Sequence, residues 1–236
     1  MVVTDTAVTF TARYADFRSF VCAVWKHLNL PEPTWLQLDI ANTLAKGPKR
    51  FLLEAFRGVG KSWLTVAFAI WILGNHPDWK ILVISASKQA ADEFSTFCLR
   101  LIYEMPDLAW LIPSDKGRDS KLSFDVRPAQ AAKAPSMKSL GITSQLAGSR
   151  ADIIIADDIE VPSNSATPGM REKLSEQVKE FDAIVKPDAH CRVIFLGTPQ
   201  TEDSVYNKLV QRGYTCRIWP AQYPTPEEIA EYGSRL

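Results

Sequence analysis

The sequence predicts an α/β fold, a mostly parallel sheet covered by helices on both faces. Short, continuous apolar runs such as RFLLEA, WKILVIS, ADIIIA and RVIFLG read as strands buried on both sides. Segments with helical spacing alternate with them, the pattern that places parallel strands between helical layers. With 236 residues, 46% of them apolar, the chain has material for one large domain.

The elements follow in order. Residues 15–29 place Phe17, Phe20, Val21, Val24, Trp25 and Leu28 at helical spacing. PEPT ends that helix, and Thr34 can cap the next, which carries Leu36, Ile40 and Leu44. Strands are expected at 50–55, 79–85, 137–143, 151–156, 192–197 and 215–220, with a short one in LSFDV. Helices are expected at 61–73, 88–105 (stopped by Pro106), 171–185 and 203–212. The two prolines and several charges of YPTPEEIAEYGSRL read as a boundary.

Composition bounds the function. Lys+Arg and Asp+Glu both number 27, so the net charge is zero, which neither supports nor excludes nucleic-acid contact. Cys22, Cys98, Cys191 and Cys216 are far apart and form no CxxC pair, so neither a zinc site nor a disulfide framework is indicated. Cys98 and Cys191 read as buried small residues, and a reducing cytoplasm fits. No run approaches the roughly 18 apolar residues of a membrane span. The N-terminus lacks the basic and apolar regions of a signal peptide.

Between a strand and an apolar helix stands AFRGVGKS, residues 55–62. It matches the phosphate-binding pattern G-x-x-x-x-G-K-[ST] except that Ala55 replaces the first glycine. Gly58 and Gly60, with Val59 between them, allow the backbone N–H groups to converge on anionic oxygens, and the helix N-terminus adds its positive end. Lys61 would neutralise β/γ-phosphate charge and Ser62 would ligate Mg2+. A methyl at position 55 is tolerable where φ stays negative. Arg57 reads either as a solvated side chain or as a cation aimed at the γ-phosphate.

IIIADDIE, residues 153–160, ends an apolar strand in Asp157 and Asp158. Asp157 is assigned to Mg2+ and Asp158 to polarising the attacking water. RVIFLGTPQ ends another strand, where Thr198 and Gln200 can sense the γ-phosphate or form an ordinary turn. Gln37 offers a donor and an acceptor to adenine, or is a surface residue.

Together LQLDIANTLA, AFRGVGKS, ISASKQAAD, GSRADIIIADDIE, VPSNSAT and LGTPQT resemble the large terminase subunit of tailed bacteriophages, in the DNA maturase B type of short-tailed, podovirus-like phages. The resemblance implies a three-layer P-loop NTPase, RecA-like and of the additional-strand, conserved-glutamate class. It implies an ATPase, with ATP and Mg2+, that translocates double-stranded DNA into a procapsid. The family's loop arginine matches Arg57, its magnesium aspartate Asp157, its coupling motif Gly197-Thr198-Pro199 and its adenine-reading glutamine Gln37. Its catalytic glutamate falls on Asp158, a departure from the pattern. Arg150 is the candidate for an arginine acting on a neighbouring subunit. Implied partners are viral DNA, the portal protein, the small terminase subunit and further copies in a ring, with no membrane. The implied location is the host bacterial cytoplasm, transiently docked on the procapsid.

The resemblance divides the chain into a helical adaptor at 1–48, an ATPase core at 49–222 and, at 223–236, the start of a linker to a nuclease domain. Nuclease activity is not expected from this chain. Lys116, Arg118, Lys121, Arg127, Lys133 and Lys138 can track a phosphate backbone, or solvate a loop that also holds Asp115, Asp119 and Asp125. Two rivals stand beside the packaging reading: a helicase-like ATPase that remodels nucleic acid, and a non-hydrolysing nucleotide-binding scaffold.

Overall fold

The computed structural model describes residues 2–114, 117–120, 122–199 and 201–236. Asp115, Lys116, Lys121 and Gln200 therefore lie outside the described residues. Three helices come first: α1 (Val2–Arg13), α2 (Phe17–His27) and α3 (Trp35–Lys46). Asp16 caps α2, and Thr34 and Gln37 form a reciprocal capping box on α3. β1 (Arg50–Ala55), α4 (Lys61–Asn75), β2 (Ile81–Ser85) and α5 (Lys88–Glu104) follow. A 3-10 turn over Pro106–Leu111 leads to β3 (Asp119–Ser120), β4 (Ser123–Phe124) and β5 (Met137–Gly141). Next come β6 (Ile153–Asp157), α6 (Pro162–Ser165), α7 (Pro168–Lys179), α8 (Phe181–Ile184) and β7 (Arg192–Gly197). α9 (Val205–Gln211), β8 (Thr215–Trp219) and α10 (Pro226–Tyr232) complete the chain.

The strands form one sheet in the order β3-β4-β5-β2-β6-β7-β1-β8. β5, β2, β6, β7, β1 and β8 pair in parallel, and the short β3 and β4 join the edge antiparallel, β3 to β4 and β4 to β5. Alternation along each strand distributes its side chains to two cores. Phe51, Leu53, Val83, Ile155 and Leu196 face the layer of α1–α5, while Leu52, Ile84, Ile154 and Phe195 face α7–α9.

The structure adds two helices and revises one expectation. Residues 2–13 form a helix whose Phe10 ring lies against Gly74, where a Cβ would come within 2.3 Å of it. The single helix expected over 171–185 begins earlier, where Thr167 caps and Pro168 takes the first turn, and it breaks at Glu180. The tail read as a boundary holds α10, started by a capping box between Thr225 and Glu228. Cys98 and Cys191 are buried, as expected. Among the described residues no helix is long and apolar enough to cross a membrane.

Candidate nucleotide site

The turn after β1 is built by two left-handed glycines, Gly58 (φ +90) and Gly60 (φ +88). Gly60 is the residue before α4, so the N–H groups of that helix's first turn point toward the loop. Ala55 pairs with Trp219 as the last residue of β1 and is not among the positive-φ residues, so its methyl meets no backbone conflict. Gln37 Nε2 donates to the Val59 carbonyl at 2.9 Å, and its Oε1 accepts from Thr34 N at 2.9 Å. The amide offered to adenine is thus engaged in bracing the loop against α3.

β7 lies between β1 and β6. Register sets Gly197 beside Glu54 and Asp157 beside Leu196, so the ends of the three strands face one crevice. Lys61 reaches across it. Its ammonium donates to the carbonyls of Ala55 at 2.7 Å and Phe56 at 3.3 Å and to Thr198 Oγ1 at 3.4 Å. Burial lowers the Lys61 pKa, while Asp158 and Asp157 oppose that shift.

Asp158 adopts φ +45, a left-handed turn that ends β6, and its N–H donates to the Leu196 carbonyl at 2.9 Å. Aspartate tolerates this region better than most residues. The turn brings both carboxylates to the crevice. A notch of about 330 Å3 is lined by Arg57, Gly58, Lys61, Ser62 and Asp158. An adjoining cleft of about 700 Å3 is lined by Ser62, Trp63, Ser85, Asp157 and Asp158. Asp157 Oδ1 is buried without a hydrogen-bond partner. Burial, then repulsion from Asp158, pushes the Asp157 pKa up to about 7, with Lys61 opposing. Burial also raises Asp158, against Lys61 and Arg57. Exposed Arg57 makes no hydrogen bond or ion pair among the described residues.

Two further residues support the crevice and were not singled out from sequence. Glu160 is buried and accepts from Ser204 Oγ at 3.0 Å and from Val205 N at 2.7 Å, so it holds the N-terminus of α9. Tyr206, fully buried, packs on Gly197 so closely that a Cβ there would lie 2.1 Å from its ring. The only trace of this in the sequence is a glutamate among apolar neighbours, IEV. Arg150 stands apart from the crevice. It precedes β6 at the opposite ends of the parallel strands, and its Nη1 donates to the Ser149 and Ala183 carbonyls.

A phosphate-type loop and a strand ending in paired carboxylates, with one strand inserted between them, define a P-loop NTPase of RecA-like architecture. No protein-family model matches the chain. It is 56% identical over 224 residues to the large terminase subunit of Enterobacteria phage T3, a match covering 94% of this chain and 38% of that protein. Over that match the chain is similar to a phage large terminase subunit, and it spans about two-fifths of the length of that relative. Among solved structures, an S. cerevisiae Dbp5 variant bound to Gle1 and IP6 shares the fold, with a TM-score of 0.52 and 12% identity over 86% of this chain and 50% of that one. A Thermus phage large terminase ATPase domain aligns with a TM-score of 0.49 and 17% identity over 78% of this chain and 71% of that one.

Proposed function

We propose that this chain is the Mg2+-dependent ATPase part of a viral DNA-packaging motor. One observation carries the reading: the Lys61 turn and the Asp157–Asp158 strand end line a single crevice. The triphosphate of ATP lies along the loop over Gly58, Val59 and Gly60, whose backbone and helix end favour anions. Lys61 leaves its carbonyl partners for the phosphate oxygens, and Arg57 meets the γ-phosphate from the solvent side. Gln37 either keeps the loop braced or exchanges its two partners for the adenine edge.

Mg2+ fits the donor set. The buried, unpartnered oxygen of Asp157 is an acceptor waiting for a cation, and the Ser62 hydroxyl shares its cleft. Bound there, Mg2+ supplies charge neutralisation for the phosphoryl oxygens. Asp158 orients the attacking water and accepts its proton; burial raises its pKa, which makes it the stronger base. Thr198, already held by Lys61 and Ala55, senses the phosphate and passes its loss to β7 and α9.

The work done is translocation of double-stranded DNA into a procapsid. The chain acts in a ring with further copies, with the portal and the small subunit, in the host bacterial cytoplasm. Helices α1–α3, within residues 1–48, serve as an adaptor on the 49–222 core, and 223–236 lead toward a nuclease domain. This chain does not itself cut DNA. The T3 relative's name supports the reading.

A phosphate-release assay with Mg-ATP tests the enzyme claim. Release that stops on chelation and in Lys61→Ala supports it. Nucleotide binding without release favours the scaffold reading, which the aspartate at position 158 would explain. Incubation of the chain with linear and circular DNA tests the absence of cutting.

A further inference from the structure

At the opposite ends of the parallel strands from Lys61 lies a second hollow, of about 420 Å3. Lys80, Lys133, Lys138 and Arg150 line it, with no acidic side chain. Lys80 is only 6% exposed, yet its ammonium makes no hydrogen bond or ion pair among the described residues. Ser149 also lines the hollow, and its Oγ is buried without a partner. A lysine whose side chain is mostly covered and a buried hydroxyl without a partner thus line one cavity, where an oxyanion would meet both.

Asp125, Asp78 and Asp152 attract Lys80 through space, but none bonds to its ammonium, and each has other partners. Asp125 accepts from Ser136 N at 2.9 Å and pairs with Arg118. Asp78 accepts from Gln130 N at 2.7 Å. Asp152 accepts from the Lys80 backbone N–H at 2.7 Å and from Lys186 at 2.8 Å. The basic residues of the 113–138 region also divide. Arg118 donates to the Ala132 and Lys133 carbonyls, and Arg127 to the Ile112 carbonyl, so both are spent on the loop's own conformation. Lys133 and Lys138 turn instead to the hollow.

We infer that this hollow is an oxyanion site that takes a phosphate group, separate from the nucleotide crevice. Lys80 and Ser149 form its floor, and Lys133, Lys138 and Arg150 its rim. The group is either a backbone phosphodiester of DNA or a phosphate free in solution. The DNA source rests on the packaging reading above; the free-anion source does not.

Two titrations of the intact chain decide the matter. Binding of a short fluorescent duplex is measured across salt concentrations, and inorganic phosphate is titrated while the amide resonances of Ser149 and Arg150 are followed. The exposed rim is altered as Lys133→Ala/Lys138→Ala, with Lys173→Ala on α7 as a charge control. If DNA supplies the group, the double variant weakens duplex binding by about tenfold. The slope of log affinity against log salt then becomes shallower by about 0.9 for each phosphate the protein no longer neutralises. If the group comes from solution, inorganic phosphate moves the two resonances, the double variant abolishes that response, and duplex affinity stays unchanged. The inference is overturned if neither ligand responds to the double variant, or if Lys173→Ala matches its effect on both. Labelled ATP is titrated in parallel. Failure of the unaltered chain to bind it ends the nucleotide reading and leaves the hollow's result standing.

Discussion

The ammonium of Lys61 and the hydroxyl of Thr198 lie 3.4 Å apart, and both reach the Ala55 carbonyl. The phosphate loop is thereby tied to the end of β7 before any nucleotide arrives. Lys61→Ala removes the charge and the tie together. Nucleotide affinity is expected to fall by at least about tenfold, the scale of one charge-assisted hydrogen bond, and turnover to vanish. Fluorescent-nucleotide titration and phosphate release check the two effects.

Thr198→Val keeps the shape and removes the hydroxyl. Nucleotide binding is expected to change little while kcat drops by about tenfold, equivalent to about 1.4 kcal/mol. An equal rise in KM with unchanged kcat would show that Thr198 contributes only to binding.

Asp158→Asn preserves size and the left-handed turn, which asparagine also tolerates. It removes the proton acceptor. ATP stays bound and hydrolysis slows by about 10²–10⁴-fold. Wild-type turnover in this variant would falsify the role given to Asp158.

Glu160 acts on stability. Glu160→Ala leaves Val205 N–H and Ser204 Oγ buried without their acceptor, and is expected to cost about 2–4 kcal/mol. A urea titration measures this as a lower midpoint at unchanged slope. Glu160→Gln retains one acceptor oxygen and should recover part of the loss.

His76 gives a pH test. It stacks on Trp79 with ring centroids 3.9 Å apart, and Trp79 stacks on His190 at 4.4 Å. Although the residue is exposed, partial desolvation of its ring, then the neighbouring His190, lowers the His76 pKa below its ordinary 6.5. A depressed folded-state value means that His76 contributes stability above about pH 6.5 that is lost as pH falls through its folded value. Thermal melts from pH 7.5 down to 5 should therefore fall less steeply for His76→Phe, which keeps the stack and cannot charge. Parallel curves for the two proteins would remove His76 from the acid limb.

Several parts of this protein were legible along the chain because their signals are local. A strand buried on both faces must be apolar throughout, so RFLLEA and RVIFLG announce themselves. A loop that wraps phosphate needs glycines and a lysine at fixed spacing, so the Lys61 turn does too. Asp157 and Asp158 were legible as a strand end, but the left-handed turn at Asp158 that brings them to the crevice was not. Nor was the engagement of Gln37 with Val59, since an amide's partners depend on which helix lies over the loop.

By itself the amino-acid order determined which segments are strands, which turn can hold phosphate and which residues carry charge. Only the tertiary structure decided that β7 enters between β1 and β6, and so brings Thr198 to Lys61. The same holds for Glu160 against α9 and for Lys80 beside Arg150. The physical reason is that periodicity reports which face of a segment is buried and not which neighbour buries it. Neighbours are chosen by packing and sheet register over long sequence separations, and no local pattern encodes them.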